Sequence, residues 1–405
     1  MIKIIKVIIV FNCLALIFFP ASVLAQTNCS RTSIGFKPLI DNFPDYYYPN
    51  ATHASKQRLG LYGDMQNTPP TSHYQKAMEA VGRIYPRNST GGRDDANGKI
   101  GFAALGMSNT KYEFAHFKEY IAGQGMSPKV VLVNGAKEGQ VASEWGQENA
   151  GGAPWSNMLS QVAAAGLTPA QIQAVWMKIT NIGTLGTFPQ YAEKFHRDMA
   201  NTVKLLKIKY TNVQIVYLSS RIYAGYSTAL LSPEPEAYEG GFAMRWLIQD
   251  QIAGGGTTGV NYTNAPVLVW GPYLWADGTT PNSQGLSWDC DDVVAKDGVH
   301  PADGAKEKIT TKLLEYLKTS DFSRSWFTGV PGSPFPSPSS APSVTPSGGA
   351  YAKGDVNHDG MVNVTDIKLA INNFSTSAGS LPNYFDPIGD IKINIFDAGW
   401  VIQDW

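Results

Sequence analysis

The sequence has little cysteine, no excess of either charge and few long apolar runs, and each shortage narrows the choices. It holds three cysteines in 405 residues, none at metal-ligand spacing from another. Lys plus Arg number 32 against 33 Asp plus Glu, so no positive excess is available to neutralise phosphates and nucleic-acid binding is disfavoured. The apolar run that starts the chain continues to Phe19 and ends at Pro20, short for a membrane span. Lys3 and Lys6 precede it, and Val23-Leu24-Ala25 follows with small residues at the −3 and −1 positions. This pattern predicts a signal peptide over residues 1–25, a secreted chain, and no membrane span after cleavage. Cys29 lacks the small residues before it that a lipoprotein signal needs. Cleavage removes Cys13 and leaves Cys29 and Cys290, which an extracellular setting permits to pair; a free, buried Cys290 is the alternative.

What is present is an ordinary apolar content of 43%, enough for a full-sized core. Residues 26–97 are rich in Pro, Asn, Tyr and Gly and read as an irregular entry segment. From there apolar runs of strand length alternate with helical patterns. Strands are predicted over Lys99–Leu105, Lys129–Asn134, Gln173–Ile179, Val213–Leu218 and Pro266–Trp270. Helices are predicted over Lys111–Ala122, Trp155–Ala165, Gln190–Lys209, Tyr238–Ile252 and Ala302–Lys318. Such alternation implies a parallel sheet covered on both faces, an α/β fold of flavodoxin-like three-layer type. Right-handed crossovers then gather the carboxyl ends of the strands along one edge, where such folds bind ligands. Ser108, Gly135, Asn181, Arg221 and Tyr273 follow successive strands, and a last loop brings Asp297 and His300 to the same edge.

Asp297-Gly298-Val299-His300-Pro301 sets a carboxylate and an imidazole three positions apart before a helix. That spacing suits a general base and the acid that orients it. Ser108, in Gly106-Met107-Ser108-Asn109-Thr110, lies where the first strand turns into its helix. A serine there exposes its hydroxyl at the ligand edge, beside helix N-terminal N–H groups able to stabilise an oxyanion. A plain helix N-cap is the simpler reading of Ser108 or Asn109, and a loop histidine at a helix start is the simpler reading of His300.

Taken together these residues resemble the SGNH (GDSL-like) hydrolase superfamily over about residues 98–320. The resemblance implies Ser108 as nucleophile, His300 as base and Asp297 as its orienting acid, with no cofactor for catalysis. It implies Gly135 as one oxyanion donor and an asparagine after the third strand as another. The family's GxND is absent there. Trp176-Met177-Lys178-Ile179-Thr180-Asn181 stands in its place, leaving Asn181 or the cationic Lys178 as the donor. Met107 also replaces the Asp of the usual GDS. Arg221 is a further candidate for binding a carboxylate or sugar hydroxyls.

The composition changes to Pro, Ser and Gly over residues 329–350, which read as a semi-rigid linker closing the 26–328 domain. Beyond it, Asp355, Asn357, Asp359, Asn363 and Asp366 occupy positions 1, 3, 5, 9 and 12 of an EF-hand-type calcium loop. Gly360 falls at the sharp turn and Met361 offers its carbonyl at position 7. A second loop keeps Asp386, Asp390, Asn394 and Asp397, with Lys392 at position 7. Ile388 and Ile391 replace a ligand and the turn glycine, so calcium is expected to bind there more weakly or not at all. Two such loops, each leading into a short helix, resemble a type I dockerin over residues 351–405. The resemblance implies a small all-α calcium module, a cohesin partner on a scaffold or cell surface, and a polysaccharide context.

Three functions follow. The first is a secreted serine esterase or deacetylase acting on acylated polysaccharide. The second is a non-catalytic glycan-binding or structural module. The third is a glycoside hydrolase, supported by Glu234 and Glu239. Glu234, Glu236 and Glu239 also read as plain acidity before a helix, and Trp270, Tyr273 and Trp275 as core or a carbohydrate platform.

Overall fold

Five short apolar segments, too brief for helices, pair into the central sheet of the computed structural model, which describes residues 27–48, 56–183 and 186–330. The chain divides into two units, Met1–Gly332 and Ser333–Trp405, and every described residue belongs to the first. The expected signal peptide, the linker from residue 331 and the calcium ligands from Asp355 to Asp397 lie outside the described residues.

The strands are β1 (Ile100–Gly106), β2 (Val130–Asn134), β3 (Ile172–Lys178), β4 (Ile215–Leu218) and β5 (Val267–Trp270). They pair in parallel throughout, in the order β2-β1-β3-β4-β5. That is the flavodoxin-like order. Every residue of β1, β3, β4 and β5 is buried, the signature of strands covered on both faces.

Parallel neighbours need a crossover, and helices between consecutive strands supply it, with further helices before β1 and after β5. These are α1 (Thr71–Val81), α2 (Ser108–Tyr120), α3 (Pro154–Ala164), α4 (Gln190–Lys209), α5 (Glu236–Ile252) and α6 (Asp303–Thr319). Helix α2 packs on α6, and α4 packs on α5. Right-handed crossovers put these two pairs on opposite faces, because the direction of winding reverses after β2. Helix ends carry their usual chemistry. Pro154 opens α3, where a missing N–H costs nothing, and α6 runs from Asp303 in its first turn to Lys318 in its last.

The entry segment departs from expectation. It contains α1 and a two-residue antiparallel pairing of Tyr47–Tyr48 with Gln57–Arg58. Helix α1 was illegible because its buried stripe is His73, Ala77, Ala80 and Val81, mostly small or polar side chains. Its buried His73 bonds the Tyr262 hydroxyl at 2.8 Å and the Leu268 carbonyl at 2.9 Å, fixing α1 against β5. Burial pushes that imidazole down to about 4, so it sits neutral in the core. Further tethers hold the segment. Asp277 accepts the Ser33 hydroxyl and the N–H groups of Ile34 and Gly35. A disulfide joins Cys29 to Cys290 with their Cα atoms 5.3 Å apart, resolving the two readings of Cys290 in favour of pairing.

The reversal of strand order falls at β1, which has β2 on one side and β3 on the other. In such sheets the crevice outside the carboxyl ends at this point is where ligands bind. The residues that follow β1, β2 and β3 therefore define the ground on which a site can be built.

Candidate active site

Strand β1 ends at Gly106, where the chain must pass close to its neighbour. A Cβ at Gly106 would stand 2.2 Å from the Lys178 carbonyl oxygen and 2.3 Å from the Thr110 hydroxyl. Met107 then takes an extended conformation, and Ser108 is the first residue of α2. The first N–H groups of a helix have no partner within it, so positive potential gathers around Ser108. The simple N-cap reading fails because Met107 occupies the cap position and no side chain caps the helix.

The Ser108 hydroxyl lies 2.8 Å from His300 Nε2. On the other side of the ring, His300 Nδ1 lies 2.8 Å from Asp297 Oδ2. The remaining Asp297 oxygen accepts the N–H of Val299 at 2.9 Å and of His300 at 3.0 Å. Partial burial pushes the Asp297 carboxyl up, but the His300 and Val299 N–H groups, then the His300 ring, outweigh it and hold it below its ordinary value. An ionised Asp297 has no proton to give, so Nδ1 carries the hydrogen and Nε2 turns its lone pair toward Ser108.

The loop bearing this pair is fastened from both neighbouring elements. Asn109 donates from Nδ2 to the Val299 carbonyl at 2.9 Å, and Ser227 donates to the Asp297 carbonyl at 2.8 Å. Gly298 has φ of +65°, and a Cβ there would meet Tyr226 and Ser227 backbone atoms at 2.8 Å. Only glycine fits both the conformation and the space. Ser227 carries no signal in the sequence, and Asn109 reads there only as a helix cap. The partner of Asn109 lies 190 positions away.

The other sequence-derived candidates are engaged elsewhere. Lys178 is the last residue of β3 and faces the interior, where its ammonium pairs with Glu113 of α2 at 2.7 Å, both side chains fully buried. Burial pushes the ammonium down and the nearby Glu113 carboxylate opposes it. Its charge is spent on holding α2 to β3, which corrects the reading of Lys178 as an oxyanion donor. Asn181 is corrected in the same way. Its Oδ1 accepts the Ser143 N–H at 3.0 Å and its Nδ2 donates to Asp198 at 2.7 Å, so the amide ties β3 to α4. Gly135 stands in the turn after β2 and its N–H bonds the Val133 carbonyl at 3.1 Å. A Cβ there would crowd Met158 at 2.8 Å and the Ala104 carbonyl at 2.9 Å, so packing alone accounts for the glycine.

Arg221 is buried, with one guanidinium nitrogen donating to the Leu231 carbonyl at 3.1 Å. Its Nη2 has no hydrogen-bond partner among the described residues. Burial pushes its pKa down from the ordinary arginine value. It lines a cavity of about 10 Å³ with Met107 and Asn109, the two neighbours of Ser108, and with Thr110, Lys178, Ile179 and Thr180, so Lys178 borders this space even though its ammonium pairs with Glu113. That space is at the lower limit for a single water molecule.

The third function, glycosidic cleavage, loses its support. Glu234 is buried and accepts the N–H groups of Ala224 and Tyr238 and the Trp275 indole N–H. Glu239 is buried against the Tyr48 hydroxyl at 2.7 Å. Burial raises each carboxyl to about 7, and neither reaches a surface that a polysaccharide chain could approach. Glu236 is buried beside them. Trp270, Tyr273 and Trp275 are core residues, which excludes them as a carbohydrate platform.

Comparisons with known proteins add the second unit. Residues 353–404 match the dockerin type I domain family. No curated protein matches the chain. Among solved structures, the chain is similar to a carbohydrate esterase family 3 protein from Talaromyces cellulolyticus, at 13% identity and a TM-score of 0.34 over 55% of this chain and 98% of that one. It is similar to the periplasmic domain of a lipopolysaccharide acetyltransferase from Salmonella ser. Paratyphi A, at 14% identity and a TM-score of 0.33 over 60% and 95% of the two chains. A protein of Bacteroides fragilis described as an acylhydrolase matches at 13% identity and a TM-score of 0.31 over 61% and 96%. Likeness of this degree leaves the chemistry to be read from the site itself.

Proposed function

We propose that the chain is a secreted serine esterase of the SGNH type that removes small acyl groups, acetyl foremost, from polysaccharide. The observation that carries the reading is the unbroken relay from Ser108 through His300 to Asp297, with two contacts of 2.8 Å. In the first half-reaction Ser108 Oγ attacks the ester carbonyl and its proton passes to His300 Nε2. The Asp297 carboxylate balances the imidazolium. The tetrahedral intermediate collapses, the alkoxide leaves with the proton from Nε2, and an acyl-Ser108 ester remains. Water then gives its proton to Nε2, attacks the acyl carbon, and releases the acid as Ser108 recovers its proton.

The free N–H groups at the start of α2 are the best-supported oxyanion donors, since Lys178 and Asn181 are committed to other partners. Gly135 contributes only if its N–H leaves the Val133 carbonyl. The Arg221 Nη2, without a partner among the described residues and beside the neighbours of Ser108, supports a role for Arg221 in binding the acyl carbonyl.

The reading assigns residues 1–25 to a signal peptide, 26–328 to the esterase, 329–350 to the linker and 351–405 to the dockerin. Dockerins bind cohesins, so the enzyme would be carried on a cohesin-bearing scaffold or surface protein. The first loop, Asp355 to Asp366, offers the oxygen donors that calcium requires, and the ion would stabilise the module.

The test is labelling of the full chain with a fluorophosphonate. Wild type is expected to take up one label and Ser108→Ala none. Equal labelling of both would remove Ser108 from the mechanism.

A further inference from the structure

Helix α2 carries more than Ser108 to the edge. Side chains four positions apart on a helix share a face and lean toward its amino end, so Tyr112 leans over the turn that begins with Ser108. Tyr112 is 38% exposed, whereas most large aromatics among the described residues are buried. The ring centroid stands 5.8 Å from that of His300, at an interplanar angle of 57°. Next to it, Lys111 pairs with Glu138 at 2.9 Å, and both of these side chains are about half exposed. Glu138 belongs to the loop after β2, so the pair joins two sides of the crevice. The Glu138 carboxyl is held below its ordinary value by Lys111 first and then Tyr112, with His300 acting in the same direction. It is therefore an anion over the working range of a neutral enzyme.

We infer that Tyr112, with Glu138 and Lys111, forms a subsite for the sugar ring whose ester Ser108 cleaves. The inference rests on the esterase reading. The geometry gives the side of the reaction: His300 returns its proton to the leaving oxygen, so the departing alcohol passes beside His300 and over the Tyr112 ring. The chemistry gives the class. An exposed aromatic face takes the C–H face of a pyranose, a carboxylate accepts hydroxyl protons, and an ammonium donates to ring or acyl oxygens. A long acyl chain would find an ion pair here instead of an apolar trough.

Acetate release from peracetylated methyl glucoside and from 4-nitrophenyl acetate tests this with wild type, Tyr112→Ala, Tyr112→Trp and Ser108→Ala. Tyr112→Ala is expected to raise KM for the sugar ester about three- to tenfold more than for the aryl ester. Tyr112→Trp is expected to recover the difference. Equal losses on both esters, carried by kcat, would overturn the subsite and leave Tyr112 as packing for His300. If wild type hydrolyses neither ester, the esterase reading fails by itself. Saturation-transfer NMR of the glucoside with wild type and Tyr112→Ala then decides the subsite, which stands if Tyr112→Ala loses the signal and falls if wild type gives none.

Discussion

The two sides of the crevice are built on different terms. On one side the Asp297–His300 pair is set by short-range bonds, Asp297 accepting two N–H groups from residues two and three positions on and the His300 ring as well, while Asn109 and Ser227 fasten its loop from 190 and 70 positions away. On the other, at the carboxyl end of β3, Lys178 and Asn181 find partners on α2 and α4, 65 and 17 positions away. A local motif carries its geometry with it. A residue at a strand end takes whichever partner the packing brings, and here packing turned two candidate donors into structural ties.

The largest expected effect tests that second side. Lys178→Met leaves Glu113 buried without its cation, and loss of one partner from a buried pair costs about 3–5 kcal/mol. The urea midpoint is expected to fall accordingly, and the pairing Lys178→Met with Glu113→Leu to recover most of the loss. A Lys178→Met protein with wild-type stability and little esterase activity would return Lys178 to the reaction centre.

A smaller effect tests the first side. Asn109→Ala removes the bond to the Val299 carbonyl and frees the His300 loop from α2. Without that tether kcat is expected to fall about tenfold, with KM for a small aryl ester little changed. Loss in KM alone would mean that Asn109 binds substrate and does not fasten the loop.

The smallest effect contrasts two carboxylates as pH changes. The Asp297 value is depressed in the folded protein, so its stabilising contribution is present above the unfolded value and is lost as pH falls through the folded one. Glu239 behaves oppositely. Burial raises it from 4.5 to about 7, so its contribution is present below 4.5 and lost as pH rises through about 7. Thermal stability is therefore expected to decline between pH 5 and pH 8, and Glu239→Gln to flatten part of that decline. An unchanged slope would mean that Glu239 is not neutral in the folded protein at pH 5.

Much of this is legible in the sequence. The strand predicted over Gln173–Ile179 lies one residue earlier, at Ile172–Lys178, and α4 spans the predicted Gln190–Lys209. Those segments carry strong periodicity, which local side chains alone determine. Helix α1 was missed because alanines and a buried histidine do not stand out as an apolar stripe. Trp270, Tyr273 and Trp275 could be read as core or platform, because an aromatic side chain suits either until its burial is known.

The sequence by itself determined the alternation that builds the parallel sheet, the dockerin match and the Asp297–His300 spacing, all properties of neighbouring residues. Only the tertiary structure decided what touches what across long separations. It set Ser108 against a histidine 192 positions away, gave Lys178 to Glu113 and Asn181 to Asp198, and joined Cys29 to Cys290. Contacts of that kind depend on how the whole sheet packs, and no local pattern encodes them.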